Sequence, residues 1–569
     1  MDVGRLNLEW ASELIGTLVD AGVTGWVISP GSRSTPLALA CGQFEGLKIA
    51  VLPDERSAAF FALGMARSSG EPAGVIATSG SAPANWFPAV IEASRDLLPL
   101  VLVSADRPVE LQDCGANQTI DQNRLFGAHV RGFIQLPHAD PAPSMFRRVR
   151  FDAARAADLS RWPHPGPVHV NVPFREPLVP ECAAFSNRVT ARSVSEPAVA
   201  GRPRVAPVSE ATARISSALD GRPGLIICGR GRFGTRFHDR VSALGDRLNC
   251  PVLADPLSGL RFGSHRSKRV VSHYDTFLRA AGFVRERGPA WVLRFGGTPV
   301  SRTLERYLRD VGDAMQILVS PSGDWPDPAL GMVHVVHADP AETCAALLEA
   351  APSPGPGEWQ KMFLEAEHRE RKRLDDGREL PLEAQVIRTV LSRSPGGTRV
   401  FCGNSTVIRD VDSFSGTAPH PLKLTGNRGA SGIDGNVSTV MGMSAASAGP
   451  VVGLVGDLAL YHDMNGLLAA RDLDVTLVVF NNGGGAIFSY LSQANLPAFE
   501  RFWLTPTGLD PRRIAALYGI THCRVEDAKG FGEAFSGSIS GPGASMIEVL
   551  IDRVDSVRRH RDFWSGTGG

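Results

Sequence analysis

Short, unbroken apolar runs recur along this chain, each followed by a loop and a helical stretch, and that alternation limits the fold more than any other feature. In the first block the runs are GWVIS, IAVLP, GVIATS, LPLVLVSA and GPVHVNVP. Each is a predominantly apolar run, so each strand is expected to bury both faces, as in a parallel sheet covered by helices. GLIICG, PVLAD, WVLRFG, MQILVS and VHVVHAD repeat the pattern in a second block, and TRVFCGNS, VVGLVGD, VTLVVFNN and ASMIEVLI in a third. The class is α/β, with three doubly wound parallel-sheet domains expected at residues 1–185, 208–350 and 380–569. Residues 186–207, rich in Ser, Pro, Arg and Ala without periodicity, read as a linker, as does APSPGPGEW. A charged surface helix is expected through EAEHRERKRLDD.

Charge narrows the function classes. Lys+Arg and Asp+Glu balance at 59 each, so no global field favours nucleic acid or an anionic membrane. No stretch approaches the about 20 apolar residues that span a bilayer, so no stable membrane insertion is expected. The first residues lack a basic segment ahead of an apolar run. They read as an amphipathic helix with Leu8, Ala11, Leu14, Ile15, Leu18 and Val19 on one face, not as a targeting signal. The eight Cys are scattered with no CxxC pair, which argues against structural zinc and for free thiols in a reducing cytoplasm.

The chemistry concentrates in VVGLVGDLALYHDMNGLLAARDLDVTLVVFNNGGGAIF. One strand ends in Gly456-Asp457 and the next in Asn481-Asn482-Gly483-Gly484, with Asn482 25 residues after Asp457. That interval fits one crossover helix and a return strand, which brings both ends to the same carboxyl edge of a parallel sheet. An Asp carboxylate, an Asn amide oxygen and a backbone carbonyl are hard oxygen ligands suited to octahedral Mg²⁺ that also holds phosphate oxygens. The glycines let the backbone approach a diphosphate closely.

Other motifs fall in loops that follow expected strands: SPGSRSTPL, TSGSAPANWFPAVIEA, SADRPVELQDCGANQTIDQ, GNSTVIRD and GNRGASGIDGNVST. Such loops lie at the edge where open α/β sheets bind ligands. Glu55, in VLPDERSAAFF, stands where a strand gives way to a helix; by itself it reads as an acid complementing a helix dipole.

The paired GD and NN resemble the signature of the thiamine-diphosphate enzymes, in which GDG precedes NN by a similar interval. Gly456-Asp457-Leu458 lacks the second glycine, a departure that one branch shares. SPGSRSTPL, ADRP…DCGANQ and NRGASGIDG closely resemble that branch, the 2-succinyl-5-enolpyruvyl-6-hydroxy-3-cyclohexene-1-carboxylate synthase family of menaquinone biosynthesis. The likeness covers the first and third blocks well and the middle block poorly. It implies a pyrimidine-binding domain, a middle Rossmann-like domain and a diphosphate-binding domain. It implies thiamine diphosphate with Mg²⁺ (or Mn²⁺), and decarboxylation of 2-oxoglutarate with conjugate addition of the succinyl unit to isochorismate. A cytoplasmic homodimer or homotetramer is implied too, with Glu55 of one subunit facing Asp457 of another.

Residue by residue, the resemblance makes Glu55 the cofactor-activating carboxyl, which needs shelter from water and a raised pKa. Asp457, Asn482 and the Gly484 carbonyl become metal ligands. Thr78, Ser79, Gly80, Ile433, Gly456, Leu458, Ile487 and Phe488 become further cofactor contacts, with Ile433 bending the cofactor into its V shape. Ser32, Arg33, Arg107, Asn117, Gln118, Ser405, Arg409 and Arg428 become substrate contacts. Arg302 joins them; some relatives carry a basic pair there, whereas its neighbour here is Ser301. The substrates suit these residues: the succinyl unit keeps one carboxylate and isochorismate brings two, and guanidinium forks bind carboxylates bidentately. An acetohydroxyacid-synthase-like enzyme acting on pyruvate would have less need of so many Arg-bearing loops. A cofactor-dead regulatory relative would be expected to lose Glu55 or Asp457.

Two patterns are set aside. Gly229-x-Gly231-x-x-Gly234, with Asp255 beyond it, matches a dinucleotide fingerprint but is read as a structural turn. His129, His138 and His169 are scattered and read as core or surface residues.

Overall fold

The computed structural model describes residues 2–181, 203–263, 269–280, 283, 288–311, 313–331, 334–376 and 380–566. The segment read as the first linker lies outside the described residues up to 202. The described strands form three six-stranded parallel sheets. The first contains β1 (Gly25–Ile28), β2 (Lys48–Val51), β3 (Ala73–Ala77), β4 (Leu100–Asp106), β5 (Gly132–Gln135) and β6 (Pro167–Pro173). The second contains β7 (Gly224–Cys228), β8 (Val252–Ala254), β9 (Val270–Val271), β10 (Trp291–Phe295), β11 (Met315–Val319) and β12 (His334–Val336). The third contains β13 (Arg399–Cys402), β14 (Lys423–Thr425), β15 (Val451–Gly456), β16 (Val475–Asn481), β17 (Thr521–Val525) and β18 (Ala544–Leu550).

The first and third sheets share one topology. Their orders, β2-β1-β3-β4-β6-β5 and β14-β13-β15-β16-β18-β17, correspond strand for strand. The middle order, β12-β11-β10-β7-β8-β9, is that of a dinucleotide-type Rossmann sheet. Central strands are buried along their whole length, as the unbroken apolar runs predict: β3, β4, β7 and β10 expose no residue. The four strands absent from the sequence reading, β5, β9, β14 and β17, all lie at sheet edges. An edge strand need not be apolar on both faces; β17 reads THCRV and is largely exposed.

Two helices join the outer sheets. Glu55–Ser69 begins with Asp54, whose carboxylate accepts from the backbone N–H groups of Arg56 and Ser57, and ends at Gly70 in the left-handed region. It packs on Asn436–Ala446, with Phe60, Phe61, Met65, Val437, Val440 and Met443 in one core. Their backbones touch. A Cβ on Gly64 would lie 2.1 Å from the Thr439 carbonyl oxygen, and one on Gly442 would lie 1.9 Å from that of Phe61. The middle sheet meets the third through Arg261, wholly buried, which donates to the Ala254 and Asp412 carbonyls and to the Asp412 carboxylate.

Gly442→Ala is therefore expected to destabilise the protein by about 1–3 kcal/mol, because a methyl group there overpacks against backbone. Urea denaturation measures this, and an unchanged midpoint would contradict the packing.

Candidate active site

Asp457 and Asn482 follow β15 and β16, which pair side by side up to Gly456 and Phe480. Their side chains therefore emerge at neighbouring strand ends. Asp457 opens a short helix, Asp457–His462, and its Oδ1 accepts from the Leu458 N–H at 2.9 Å. Burial pushes its carboxyl up to about 6, although the N–H groups of Leu458, Gly484 and Gly483 favour the charged form. Asn482 Oδ1 is buried with no hydrogen-bond partner. Leaving such an oxygen unpaired costs about 1–3 kcal/mol. A hard divalent cation would satisfy both atoms at once, so the donor set fits the metal that the sequence implies. Among the described residues no group of three His, Cys, Asp or Glu side chains could hold a metal; this pair uses one carboxylate and one amide oxygen instead.

The glycine run after Asn482 is required by packing. Gly484 has φ +132°, and a Cβ there would lie 2.1 Å from the Leu504 carbonyl oxygen. The Gly485 N–H donates to that same oxygen at 2.7 Å. Ile487 and Phe488 follow in the turn Ala486–Tyr490, both half-buried.

On the first sheet, Ser32 and Arg33 follow β1, and Thr78, Ser79 and Gly80 follow β3. Arg33 is buried; its Nη1 donates to the Phe174 carbonyl at 3.0 Å and its Nη2 to Glu176 Oε1 at 2.8 Å. Arg107 Nη1 lies 3.9 Å from the same carboxylate, and its Nη2 donates to the Asn117 carbonyl. The Nε atoms of both arginines are buried without partners. Two guanidinium groups thus converge on Glu176, a carboxylate that is 70% exposed. Gln118, at φ +54°, exchanges hydrogen bonds with Ser79, and the Gly80 N–H donates to Gln122. Gln122 in turn bonds Asn171, which donates to Asp106. Burial pushes the Asp106 carboxyl up to about 6 against that bond.

A second cationic group lies on the third sheet. Ser405, at φ +70°, precedes the helix Thr406–Phe414, and Arg409 Nη1 donates back to its carbonyl. Arg428 Nη1 donates to Asn404 Oδ1 at 2.7 Å. Burial lowers the pKa of Arg409, and the Arg302 charge lowers it further. Arg428 is lowered by burial, then by Arg409 and Arg230. Like charges held together this way form a receptor for anions. Ser301 is engaged locally, donating to Asp275 and accepting from the Leu304 N–H, while Arg302 beside it is exposed.

Glu55 differs from the sheltered strand end expected of it. It is the first residue of its helix, half-exposed, and among the described residues its carboxylate accepts only from Asn85 Nδ2, at 3.5 Å. The reason is local: Asp54 takes the capping position and leaves Glu55 on the rim. Its neighbours reach the third sheet, with Asp54 accepting from Asn465 and Arg56 donating to the His462 carbonyl. Ile433 packs half-buried against the core shared by the outer sheets. Among the described residues, no hydrogen bond or ion pair joins the Arg33–Arg107 group to the Arg409–Arg428 group.

Several polar residues that shape the site, Glu92 and Asn404 among them, lie within the loop motifs without a spacing that marks their role. Glu92 is buried and accepts from the N–H groups of Gly429 and Ala430 at 2.7 and 2.6 Å, which fastens the 427–435 loop. Asn404 donates to the Asn427 and Gly432 carbonyls of that loop. A cavity of about 210 Å³ lies beneath it, between Phe60, Phe87 and Asp434. Asp255, the acid of the dinucleotide pattern, is consumed locally: its oxygens accept from the N–H groups of Leu257 and Val300. His169 is buried against Ser104 in the core, and burial lowers its pKa to about 3.

Comparison with known proteins adds two matches of family and many of sequence. Residues 9–125 match the thiamine pyrophosphate enzyme, N-terminal TPP binding domain, and residues 414–549 the corresponding C-terminal TPP binding domain. The 2-succinyl-5-enolpyruvyl-6-hydroxy-3-cyclohexene-1-carboxylate synthase of Dechloromonas aromatica is 41% identical over 96% of this chain and 99% of its own. That of Geobacillus kaustophilus is 42% identical over 98% and 97%. That of Chloroflexus aurantiacus is 41% identical over 98% and 95%.

Replacing Glu92 by Ala should strand two N–H groups, at a cost of about 3 kcal/mol, while Arg67 keeps its ion pair with Asp96. Hydrogen exchange at Gly429 and Ala430 should accelerate; protection as in the parent would show that the loop is held by other means.

Proposed function

This chain belongs to the 2-succinyl-5-enolpyruvyl-6-hydroxy-3-cyclohexene-1-carboxylate synthase family of thiamine-diphosphate enzymes, and we propose that it decarboxylates 2-oxoglutarate and transfers the succinyl unit to isochorismate. The observation that carries this reading is the placement of the half-buried Asp457 carboxylate and the orphaned Asn482 Oδ1 at adjacent strand ends. When bound, thiamine diphosphate supplies an acidic thiazolium carbon that adds to the 2-oxo group and accepts the electrons released with CO₂.

Asp457, Asn482 Oδ1 and the Gly484 carbonyl would hold Mg²⁺ or Mn²⁺, and with it the diphosphate. Gly456, Leu458, Ile487 and Phe488 would line the thiazolium side, and Thr78, Ser79, Gly80 and Ile433 the pyrimidine side. Glu55 would hold a proton against the pyrimidine N1′, which raises the basicity of the amino nitrogen beside the reacting carbon. Arg33 and Arg107, already converging on a carboxylate of this chain, would take a substrate carboxylate in place of Glu176. Asn117, Gln118 and Ser32 would add neutral hydrogen bonds. Arg409, Arg428 and Arg302, with Ser405, would bind the remaining carboxylates.

The assembly we propose is a homodimer or homotetramer in which residues 1–185 of one subunit complete the site on residues 380–569 of another. Two features support it: the two cationic groups are not joined by a hydrogen bond or ion pair among the described residues, and Glu55 is half-exposed where its chemistry needs shelter. No helix is long and apolar enough to cross a membrane among the described residues. The cysteines among the described residues are free thiols, which supports a cytoplasmic setting.

A coupled assay with thiamine diphosphate, Mg²⁺, 2-oxoglutarate and isochorismate tests the reaction. Isochorismate should be lost only when all four are present. Release of CO₂ from pyruvate without isochorismate loss would overturn the substrate pair. Glu55→Gln should lower kcat at least about 100-fold while cofactor still binds; normal turnover would remove Glu55 from its role. Arg33→Ala and Arg409→Ala should each raise a substrate KM about 10- to 100-fold, the loss of one charge-assisted contact. Unaltered constants for both substrates would refute the carboxylate assignment.

A further inference from the structure

The C-terminal helix, Arg553–Ser565, brings a buried histidine against Asp410, the residue that follows Arg409. His560 is 2% exposed; its Nδ1 lies 2.8 Å from the Ser556 carbonyl oxygen and its Nε2 3.2 Å from Asp410 Oδ1. A carbonyl and a carboxylate only accept, so the ring donates from both nitrogens and is an imidazolium. Burial alone would discharge it, but Asp410, with Glu383 and the Ser556 carbonyl, outweighs burial and raises its pKa to about 9. The groups facing it are Asp410, Glu383 (which accepts from Ser556 Oγ) and the Tyr490 ring. The same helix grips the turn that carries Ile487 and Phe488, through Arg561 on the Ser489 carbonyl and Trp564 on Tyr490.

Asp410 follows Arg409 in sequence, is buried, and is one of two carboxylates whose charge reaches that guanidinium. The other, Asp275, is taken by Ser301 and Arg279. Arg409 itself is in no ion pair among the described residues. We propose that His560 is a positioning residue: by holding the Asp410 carboxylate on the core side of its helix, it keeps the Arg409 guanidinium free of an internal counter-ion and open to a substrate carboxylate. This rests on the reading of Arg409 as a substrate contact.

The test compares KM and kcat of the holoenzyme in four forms: parent, Arg409→Ala, His560→Phe and His560→Phe/Asp410→Asn. Phenylalanine keeps the ring among Phe414, Tyr490 and Trp564 and removes the charge. His560→Phe should raise the KM of the substrate that Arg409→Ala impairs about 10-fold, with kcat nearly unchanged. The double variant should recover most of that loss, because the released carboxylate is gone. For the parent, the folded pKa lies above the ordinary histidine value. Its low KM should therefore hold at neutral pH and be lost as pH rises through about 9, while the double variant shows no such rise. A double variant as impaired as His560→Phe would reduce His560 to a packing role and overturn the proposal. An unchanged KM in His560→Phe, with Arg409→Ala impaired, would overturn it too and leave the Arg409 reading intact. No effect of Arg409→Ala would remove that reading, and this inference with it. If thermal unfolding shows His560→Phe to be misfolded, His560→Gln carries the same comparison.

Discussion

The contact between the helices Glu55–Ser69 and Asn436–Ala446 sets the rest of the structure. Each lies on an outer sheet, and glycines let backbone meet backbone, Gly64 against Thr439 and Gly442 against Phe61. A contact this close admits no side chain and little sliding, so the carboxyl edges of the two sheets are held at a fixed separation. Apart from Arg302 on the middle domain, the candidate site residues lie on those edges. Glu55 starts one of the two helices, and its neighbours Asp54 and Arg56 reach Asn465 and His462, just beyond Asp457.

The matching topology of the two outer sheets explains why the motifs occur in pairs. In an open parallel sheet, ligands bind where the strand order reverses. On the first sheet that point lies between β1 and β3, whose loops carry Ser32–Arg33 and Thr78–Gly80. On the third it lies between β13 and β15, whose loops carry Ser405 and Asp457. The fold thus offers two equivalent ligand-binding edges, one richer in neutral donors and arginine, the other in metal-type oxygens. A long cofactor with a ring at one end and a diphosphate at the other suits such a pair, contributed by two subunits in the assembly we propose.

Much of this was legible in the sequence because buried parallel strands and strand-end loops leave strong patterns. GWVIS and VVGLVGD can be little else than buried strands, and Asp457 and Asn482 are spaced by the crossover that joins them. Edge strands such as β14 and β17 escaped because exposure frees them from that pattern. The supporting residues escaped for another reason. Glu92, Gln122, Asn171 and Glu176 act on loops distant in sequence, and a lone polar residue in a helix or strand does not show which backbone it will meet. At Glu55 the sequence shows a strand followed by a helix but not which of two adjacent acids takes the cap; Asp54 does.

Asp457 and the orphaned Asn482 Oδ1, we propose, are completed by a metal that carries the cofactor diphosphate. Calorimetric titration of thiamine diphosphate into the parent and Asn482→Ala, with Mg²⁺ and again with a chelator, tests it most directly. The parent should bind only with Mg²⁺, and Asn482→Ala should lose at least about 10-fold in affinity. Equal affinity in the variant, or binding undiminished by the chelator, would contradict the account.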